Sequence, residues 1–198
     1  NQKLSEMYGA ALYAGVQKIG GWQVISLAVR SVDDRYVLHG EDLTVQCAQL
    51  LCSLITRPYF VSGCFEPSEV ELERQNLIDL IESKINDKRD YAILRCEELL
   101  YEQEPYGIDE YGTVEAANAL NAQSVTRAYR ELMKHARMEV MFTGHGDAKR
   151  IESVFSEAFS TLEREPVLLP VAPRIAGAQR VREQVERMEI VQSKLVMG

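Results

Sequence analysis

Histidine and cysteine are the side chains best suited to hold a metal or act as a nucleophile, and this sequence contains few of them. Its histidines are His39, His135 and His145. No two of them are three or four residues apart, so no pair can share one face of a helix. A hydrolytic zinc site uses about three protein ligands and a water. The histidines therefore predict no metal site, and we expect no bound cofactor.

The cysteines do not form a recognisable redox or metal motif either. Cys47, Cys52, Cys64 and Cys96 include no C-x-x-C pair, which favours buried free thiols in a reducing compartment. Ser62 and Cys64 lie together in a loop, but no nearby motif supplies a base or an oxyanion hole. We interpret that loop as a packing element without catalytic residues.

Gly144–Asp147, with the sequence G-H-G-D, could bind a phosphate because it follows an apolar segment and precedes a helix. It lacks the complete glycine-rich patterns, and the carboxylate of Asp147 would repel an anion. We therefore predict that Asp147 caps the following helix.

Composition excludes several classes of function. The chain has 198 residues, of which 46% are hydrophobic and 26% charged, as is typical of a globular domain. Its net charge is −8, whereas nucleic-acid binding needs a basic face. No apolar run reaches the ~20 residues of a membrane span. We expect a soluble, cytoplasmic protein that binds neither nucleic acid nor membrane.

The pattern of apolar residues predicts an α+β fold, with a mostly antiparallel sheet and helices packed on one face. Residues 12–30 resemble a hairpin around Gly20-Gly21. Further strands are predicted at 138–143 and, as an edge strand, at 181–190. A loop is predicted at 59–66. Helices are predicted at 41–55, 67–85, 90–101, 124–135 and 148–159, with Thr113 capping an additional short helix.

One stretch resembles the insulinase/pitrilysin-type metallopeptidases, the inverzincins. It comprises Pro105-Tyr106-Gly107, Gly112-Thr113, the helix at 124–133 and the apolar segment at 138–147. Residues 4–36 are similar to the segment that follows the zinc helix in this family. The resemblance covers about residues 4–159.

The resemblance implies the domain organisation of the chain. We expect a peptidase-homology domain at 1–165 that lacks its N-terminal part. A linker at 166–179 would follow, and 180–198 would be the start of a second homologous domain or an exchanged edge strand. In this family, two such domains or chains close around a peptide like a clamshell.

The resemblance also predicts where a zinc ligand should lie. Active members use H-x-x-E-H on a helix, two histidines for zinc and the glutamate as base, and this motif would precede Asn1. Their third ligand is a glutamate seven residues after the glutamate of a Glu-Arg pair. Glu73-Arg74 matches that pair, and position 80 is a leucine, which cannot bind zinc. Glu82 could replace it only through a register shift of two residues, a rotation of about 200°.

Residues 83–95 are similar to zinc-less, pitrilysin-like bacterial subunits, which resemble one half of a paired system. The leading hypothesis is therefore an inactive, peptidase-like domain. Its expected partner is an extended peptide, a homologous zinc-bearing peptidase subunit or a second copy, and Arg95 and Tyr106 are the candidate peptide-binding residues. Two alternatives stay open. One is an active zinc endopeptidase that recruits Glu73 or Glu82, and the other is a scaffold that binds no peptide.

Overall fold

The structure is a computed structural model that describes residues 2–168, Gly177 and 181–198. The chain divides into two compact units. The first takes in the described residues of Asn1–Gly15, Ile25–Pro67 and Ala122–Leu168, and the second those of Val16–Val24, Ser68–Asn121 and Leu169–Gly198. The predicted linker at 166–179 lies largely outside the described residues.

The elements confirm the α+β class predicted from the sequence. Two strand pairs, β1–β2 and β3–β4, each form a two-stranded sheet. The strands are β1 (Ala11–Ile19), β2 (Trp22–Arg30), β3 (Phe60–Val61) and β4 (Cys64–Phe65). The helices are α1 (Gln2–Glu6), α2 (Leu43–Thr56), α3 (Pro67–Ser83), α4 (Lys88–Leu100), α5 (Val114–Asn118), α6 (Ala122–His135) and α7 (Ala148–Ser160). Short 3-10 turns occupy Asp34–Tyr36, Lys84–Asn86 and Pro105–Gly107.

Both sheets are hairpins closed by turns that need a positive φ. Gly20, with φ +58°, begins the predicted turn between β1 and β2. The β3–β4 pair is antiparallel, with Phe60 opposite Phe65, and its turn places Ser62 at φ 52° and Gly63 at φ 81°. Two consecutive positive φ angles suit a tight two-residue hairpin turn. The prediction of a plain loop at 59–66 was wrong for this short hairpin.

Side-chain caps set the starts of several helices. Thr113 accepts a hydrogen bond from the Ala116 backbone N–H, and Asp147 accepts one from that of Lys149, which confirms both predicted caps. Asp87 accepts from the N–H groups of Arg89 and Asp90, so α4 begins directly after the helix-breaking pair at 86–87. These contacts satisfy N–H groups that have no partner within the helix.

The core of the first unit forms where α2 packs on the residues that precede β1. Met7, Ala10, Leu43, Cys47 and Leu50 are buried together. Burial raises the pKa of the Cys47 and Cys52 thiols, because the charged thiolate is poorly solvated there. All four cysteines are free thiols, as predicted, but Cys64 and Cys96 are only partly buried.

Two predicted strands are absent from the structure. Residues 138–143 have no regular structure, and their side chains include Val140, 50% exposed, and Met141, 87% exposed. Residues 181–190 also form no strand. Both segments have the composition of strands, but a strand requires a hydrogen-bonded neighbour. Within the described residues, neither segment takes part in one of the two sheets.

No helix among the described residues is both long and apolar enough to cross a lipid bilayer.

Candidate functional site

The helix α3 carries the position at which a zinc ligand is expected. Glu73 and Leu80 are seven residues apart, so they lie within about 20° of each other around the helix. Leu80 is 43% exposed, and Glu73 is exposed and accepts a hydrogen bond of 3.3 Å from the side-chain amide of Asn76. The buried residue of α3 is Ile78. The expected ligand position is therefore occupied by an accessible aliphatic side chain, which is in phase with Glu73, on the same face of the helix.

Glu82 does not complete a metal site with Glu73. The two residues are nine positions apart, which places them on opposite faces of α3, about 180° from each other. Among the described residues, no group of three or more histidine, cysteine, aspartate or glutamate side chains is arranged to hold a metal ion. The described residues alone therefore do not fit the zinc site that the family resemblance implies.

Arg74, the arginine of the Glu-Arg pair, has structural partners other than Glu73. Its guanidinium forms an ion pair with Glu71 and donates a hydrogen bond of 3.2 Å to the carbonyl of Asn118. Asn118 is the last residue of α5, so Arg74 connects α3 to α5. These contacts give Arg74 a structural role that needs no metal.

His135 and His145 have local partners in the first unit. His135 Nδ1 donates a hydrogen bond of 3.0 Å to the carbonyl of Glu165. His145 Nδ1 lies 3.1 Å from a carboxylate oxygen of Asp33, and His39 is exposed. The structure does not bring any of them together as metal ligands in the described part of the chain.

Tyr106 belongs to a tightly built turn in the second unit. Its ring packs edge-to-face against Tyr101, with 4.7 Å between centroids. Lys18 Nζ lies 4.5 Å from the centroid of the Tyr106 ring and donates to the carbonyls of Tyr106, at 2.6 Å, and Ile108, at 3.2 Å. A Cβ added to Gly107 would lie 2.3 Å from the Tyr101 carbonyl oxygen. The Pro-Tyr-Gly motif therefore encodes a close backbone approach, and most of the Tyr106 contacts are structural.

Two shallow depressions flank this turn. One has a volume of about 390 Å³ and lies between the hairpin tip at 21–23 and residues 105–112, and the other, of about 260 Å³, is lined in part by Tyr106. The neighbouring polar groups are already paired: Gln23 Nε2 donates to the Glu110 carbonyl at 2.6 Å, and Lys84 pairs with Asp109 at 2.6 Å. The depressions can accept a side chain, but they hold no nucleophile beside a base.

Arg95 lies on α4 and contacts a carboxylate of the C-terminal segment. Its Nε is 2.6 Å from Oε1 of Glu186, and it also pairs with Glu98. The hydroxyl of Tyr91 donates to Glu186 Oε2 at 3.0 Å. The hydrogen bond from Arg95 holds the pKa of Glu186 below its usual value. Arg95 and Tyr106, the two residues predicted to bind peptide, thus have separate sets of partners. Tyr91 and Glu186 contact Arg95 or its carboxylate partner, and the sequence did not indicate their roles.

Comparison with known proteins identifies a relative that matches nearly the whole of this chain. No family model matches the chain. The chain is 23% identical over 197 residues to a protein of Bacillus subtilis (strain 168) named "Probable inactive metalloprotease YmfF", and the match covers 98% of this chain and 46% of the relative. The chain thus spans slightly less than half of that relative's length.

The fold is also similar to a solved structure, titled "Crystal structure of a conserved protein from Enterococcus faecalis V583". The TM-score is 0.64 with 28% sequence identity, and the match covers 68% of this chain and 32% of the other. This similarity concerns the fold.

Proposed function

We propose that this chain is part of a zinc-less, inactive peptidase homologue of the insulinase/pitrilysin type. In this proposal it binds an extended peptide or pairs with a zinc-bearing homologous subunit. The observation that carries the proposal is Leu80, an accessible aliphatic residue in phase with Glu73 on α3. The similarity to a relative named as an inactive metalloprotease, over 98% of the chain, supports it.

The chemical argument is that leucine has no atom able to bind zinc. A catalytic site of this type uses about three protein ligands and leaves one position for water. Without a ligand from position 80, a metal would have at most the two histidines expected from the H-x-x-E-H motif. Glu82 lies about half a turn away from the required face, so using it would require α3 to rotate in its packing.

The structural contacts around α3 and α4 are of the kind that a binding domain needs. Arg74 connects α3 to α5, and Gly107 permits the close turn after α4. Such contacts preserve the shape of the domain without contributing to bond cleavage. A domain that keeps its architecture while losing a ligand is suited to holding a polypeptide or a partner.

Peptide binding is proposed to occur by addition to a strand edge. Residues 25–30 of β2 belong to a two-stranded sheet, and Ile25 is 55% exposed. Backbone hydrogen bonds along such an edge accept many sequences, while alternate side-chain positions provide some selectivity. This mode suits a protein that binds unfolded polypeptide without cutting it.

The proposal is tested with fluorescein-labelled, unfolded casein and the full-length purified protein. We expect fluorescence anisotropy to report binding that is unchanged by a chelator, with no labelled fragments after prolonged incubation. Size-exclusion chromatography with a candidate zinc-bearing homologue tests pairing on the same preparation. Chelator-sensitive cleavage would support the active-endopeptidase alternative. Absence of both peptide binding and pairing would support the scaffold alternative.

A further inference from the structure

Residues 181–186 lie along α4 and are held there by polar side-chain contacts. Arg182 pairs with Glu102 at 2.9 Å and donates a hydrogen bond of 3.1 Å to the carbonyl of Leu100. Four residues later, Glu186 accepts hydrogen bonds from Arg95 Nε, at 2.6 Å, and from a tyrosine hydroxyl. The segment thus runs antiparallel to α4, with its arginine at the C-terminal end of the helix and its glutamate nearer the N-terminal end.

Apolar burial contributes little to this attachment. Its valines, Val181 and Val185, are 95% and 72% exposed, and the segment forms neither helix nor strand. The side chains of Arg95, Glu186 and Arg182 remain 37%, 31% and 29% exposed. Ion pairs that are partly open to water are weak and are screened by salt. The segment is therefore held loosely enough for another ligand to displace it.

The surface under the segment has two regions of opposite character. At one end, Tyr91 and Arg95 present a hydroxyl donor and a guanidinium, which together suit a carboxylate. At the other end, the Leu100 carbonyl and the Glu102 carboxylate suit a guanidinium. A ligand must therefore present opposite charges at a fixed separation and in one orientation, because the reversed orientation places like charges together.

We propose that Tyr91, Arg95, the Leu100 carbonyl and Glu102 form a docking site for an extended peptide with an arginine and a glutamate four residues apart. The chain's own Arg182 and Glu186 fill this site as a reversible strap. This inference goes beyond the proposed binding at the strand edge of β2, because it adds a peptide site on α4, a ligand class for it and a mechanism that limits access to it. Arg95 acts as the carboxylate receptor and is covered by the strap when no peptide is bound.

The test uses a fluorescein-labelled peptide with the sequence of residues 181–191, VREQVERMEIV, and the full-length protein at low salt. The strap is weakened by the double substitution R182Q/E186Q. We expect this variant to bind the peptide at least tenfold more tightly than the unmodified protein does. Adding Arg95→Leu to the double variant is expected to abolish the gain. E189Q is the matched control for the glutamate substitution, because it removes one negative charge from an exposed position of the same segment.

A second measurement reports the strap without any added ligand. Trypsin cleavage after Arg187 is expected to be faster in R182Q/E186Q than in the unmodified protein or in E189Q, because the released segment is more accessible. Equal cleavage rates, equal peptide affinities, or a gain in affinity that survives Arg95→Leu would each overturn the proposal. A concentration-dependent dimer that R182Q/E186Q disrupts would also overturn it, by making a second copy the occupant.

These results are distinguishable from a failure of the proposed function. Binding of unfolded casein and absence of cleavage are measured separately. If casein binds but the strap variants behave like the unmodified protein, the docking site on α4 is wrong and the peptide-binding proposal stands. If the peptide of residues 181–191 binds as expected but casein does not, the site on α4 stands and general binding of unfolded chains is wrong.

Discussion

Replacing Gly107 with alanine places a methyl carbon against the backbone at the end of α4. The added Cβ would lie 2.3 Å from the Tyr101 carbonyl oxygen and 2.7 Å from its carbonyl carbon, whereas ordinary contact begins at 3.4 Å. The carbonyl would have to recede by about 1 Å. It also accepts a hydrogen bond of 2.8 Å from the Glu104 N–H, which such a movement would weaken. The clash is with backbone, so no side-chain rotation relieves it.

Overpacking of this kind costs roughly 1–3 kcal/mol, and a weakened hydrogen bond adds about 1 kcal/mol. We therefore expect Gly107→Ala to reduce the free energy of unfolding by about 2–4 kcal/mol. For a chain of this size, that corresponds to a fall in melting temperature of roughly 4–16 °C. Urea unfolding followed by circular dichroism measures the change directly.

Gly15→Ala is the matched control. Its Cβ would meet the Ser26 hydroxyl oxygen at 3.5 Å, an ordinary contact, so the change in unfolding free energy should stay within about 0.5 kcal/mol. If Gly107→Ala is as stable as Gly15→Ala, the close approach at the Pro-Tyr-Gly turn does not exist as described. The structural explanation of that motif would then fail.

Two further predictions concern buried and charged groups of the first unit. Thr126 is 1% exposed, and its hydroxyl accepts a hydrogen bond of 2.9 Å from the Phe65 N–H. Thr126→Val removes this acceptor, so it should lower the free energy of unfolding, measured with urea, by about 1–3 kcal/mol. Thr126→Ser keeps the hydroxyl and is the control. Hydrogen bonds from Arg35 lower the pKa of Asp33 from 3.8 to about 2 in the folded protein. Because the folded-state pKa is depressed, the stability that the charged carboxylate contributes is present well above pH 3.8 and lost as the pH falls toward 2. The difference in urea midpoint between the unmodified protein and Asp33→Asn should therefore shrink over that interval, and a constant difference would contradict the assignment.

Features that depend on neighbouring residues could be predicted from the sequence. The Gly20-Gly21 turn, the caps at Thr113 and Asp147 and the break between the helices predicted at 67–85 and 90–101 each depend on a few consecutive side chains. The short hairpin at 60–65 was missed, although Ser62-Gly63 flanked by apolar residues carries its signal. Strands of two residues are too short for an alternating pattern to show.

Features that depend on distant partners could not be predicted. The segments at 138–143 and 181–190 have strand-like composition, but composition does not say whether a neighbour is present. The Tyr91–Glu186 contact joins residues 95 positions apart, and no local pattern identifies it. Arg95 was selected from the sequence as a peptide-binding residue. The structure adds that the carboxylate of Glu186 binds Arg95.

Position 80 shows both what can and what cannot be predicted from the sequence. Counting from Glu73 placed a leucine at position 80, and the regular geometry of α3 keeps the two residues in phase. The sequence does not show which face of α3 is covered: the buried residue is Ile78, and Leu80 is 43% exposed. Helical phase follows from sequence, whereas the face that is covered depends on what packs against it.

The zinc content of the full-length protein, purified without chelators and measured by mass spectrometry, tests the central claim most directly. With a leucine at the ligand position, the protein should contain far less than one zinc per chain even after incubation with zinc and gel filtration. Leu80→Glu, which places a carboxylate at this position, is the matched variant, and its zinc content is compared with that of the unmodified protein. One tightly held zinc per chain in the unmodified protein would contradict the account, because a ligand other than residue 80 would then complete the site.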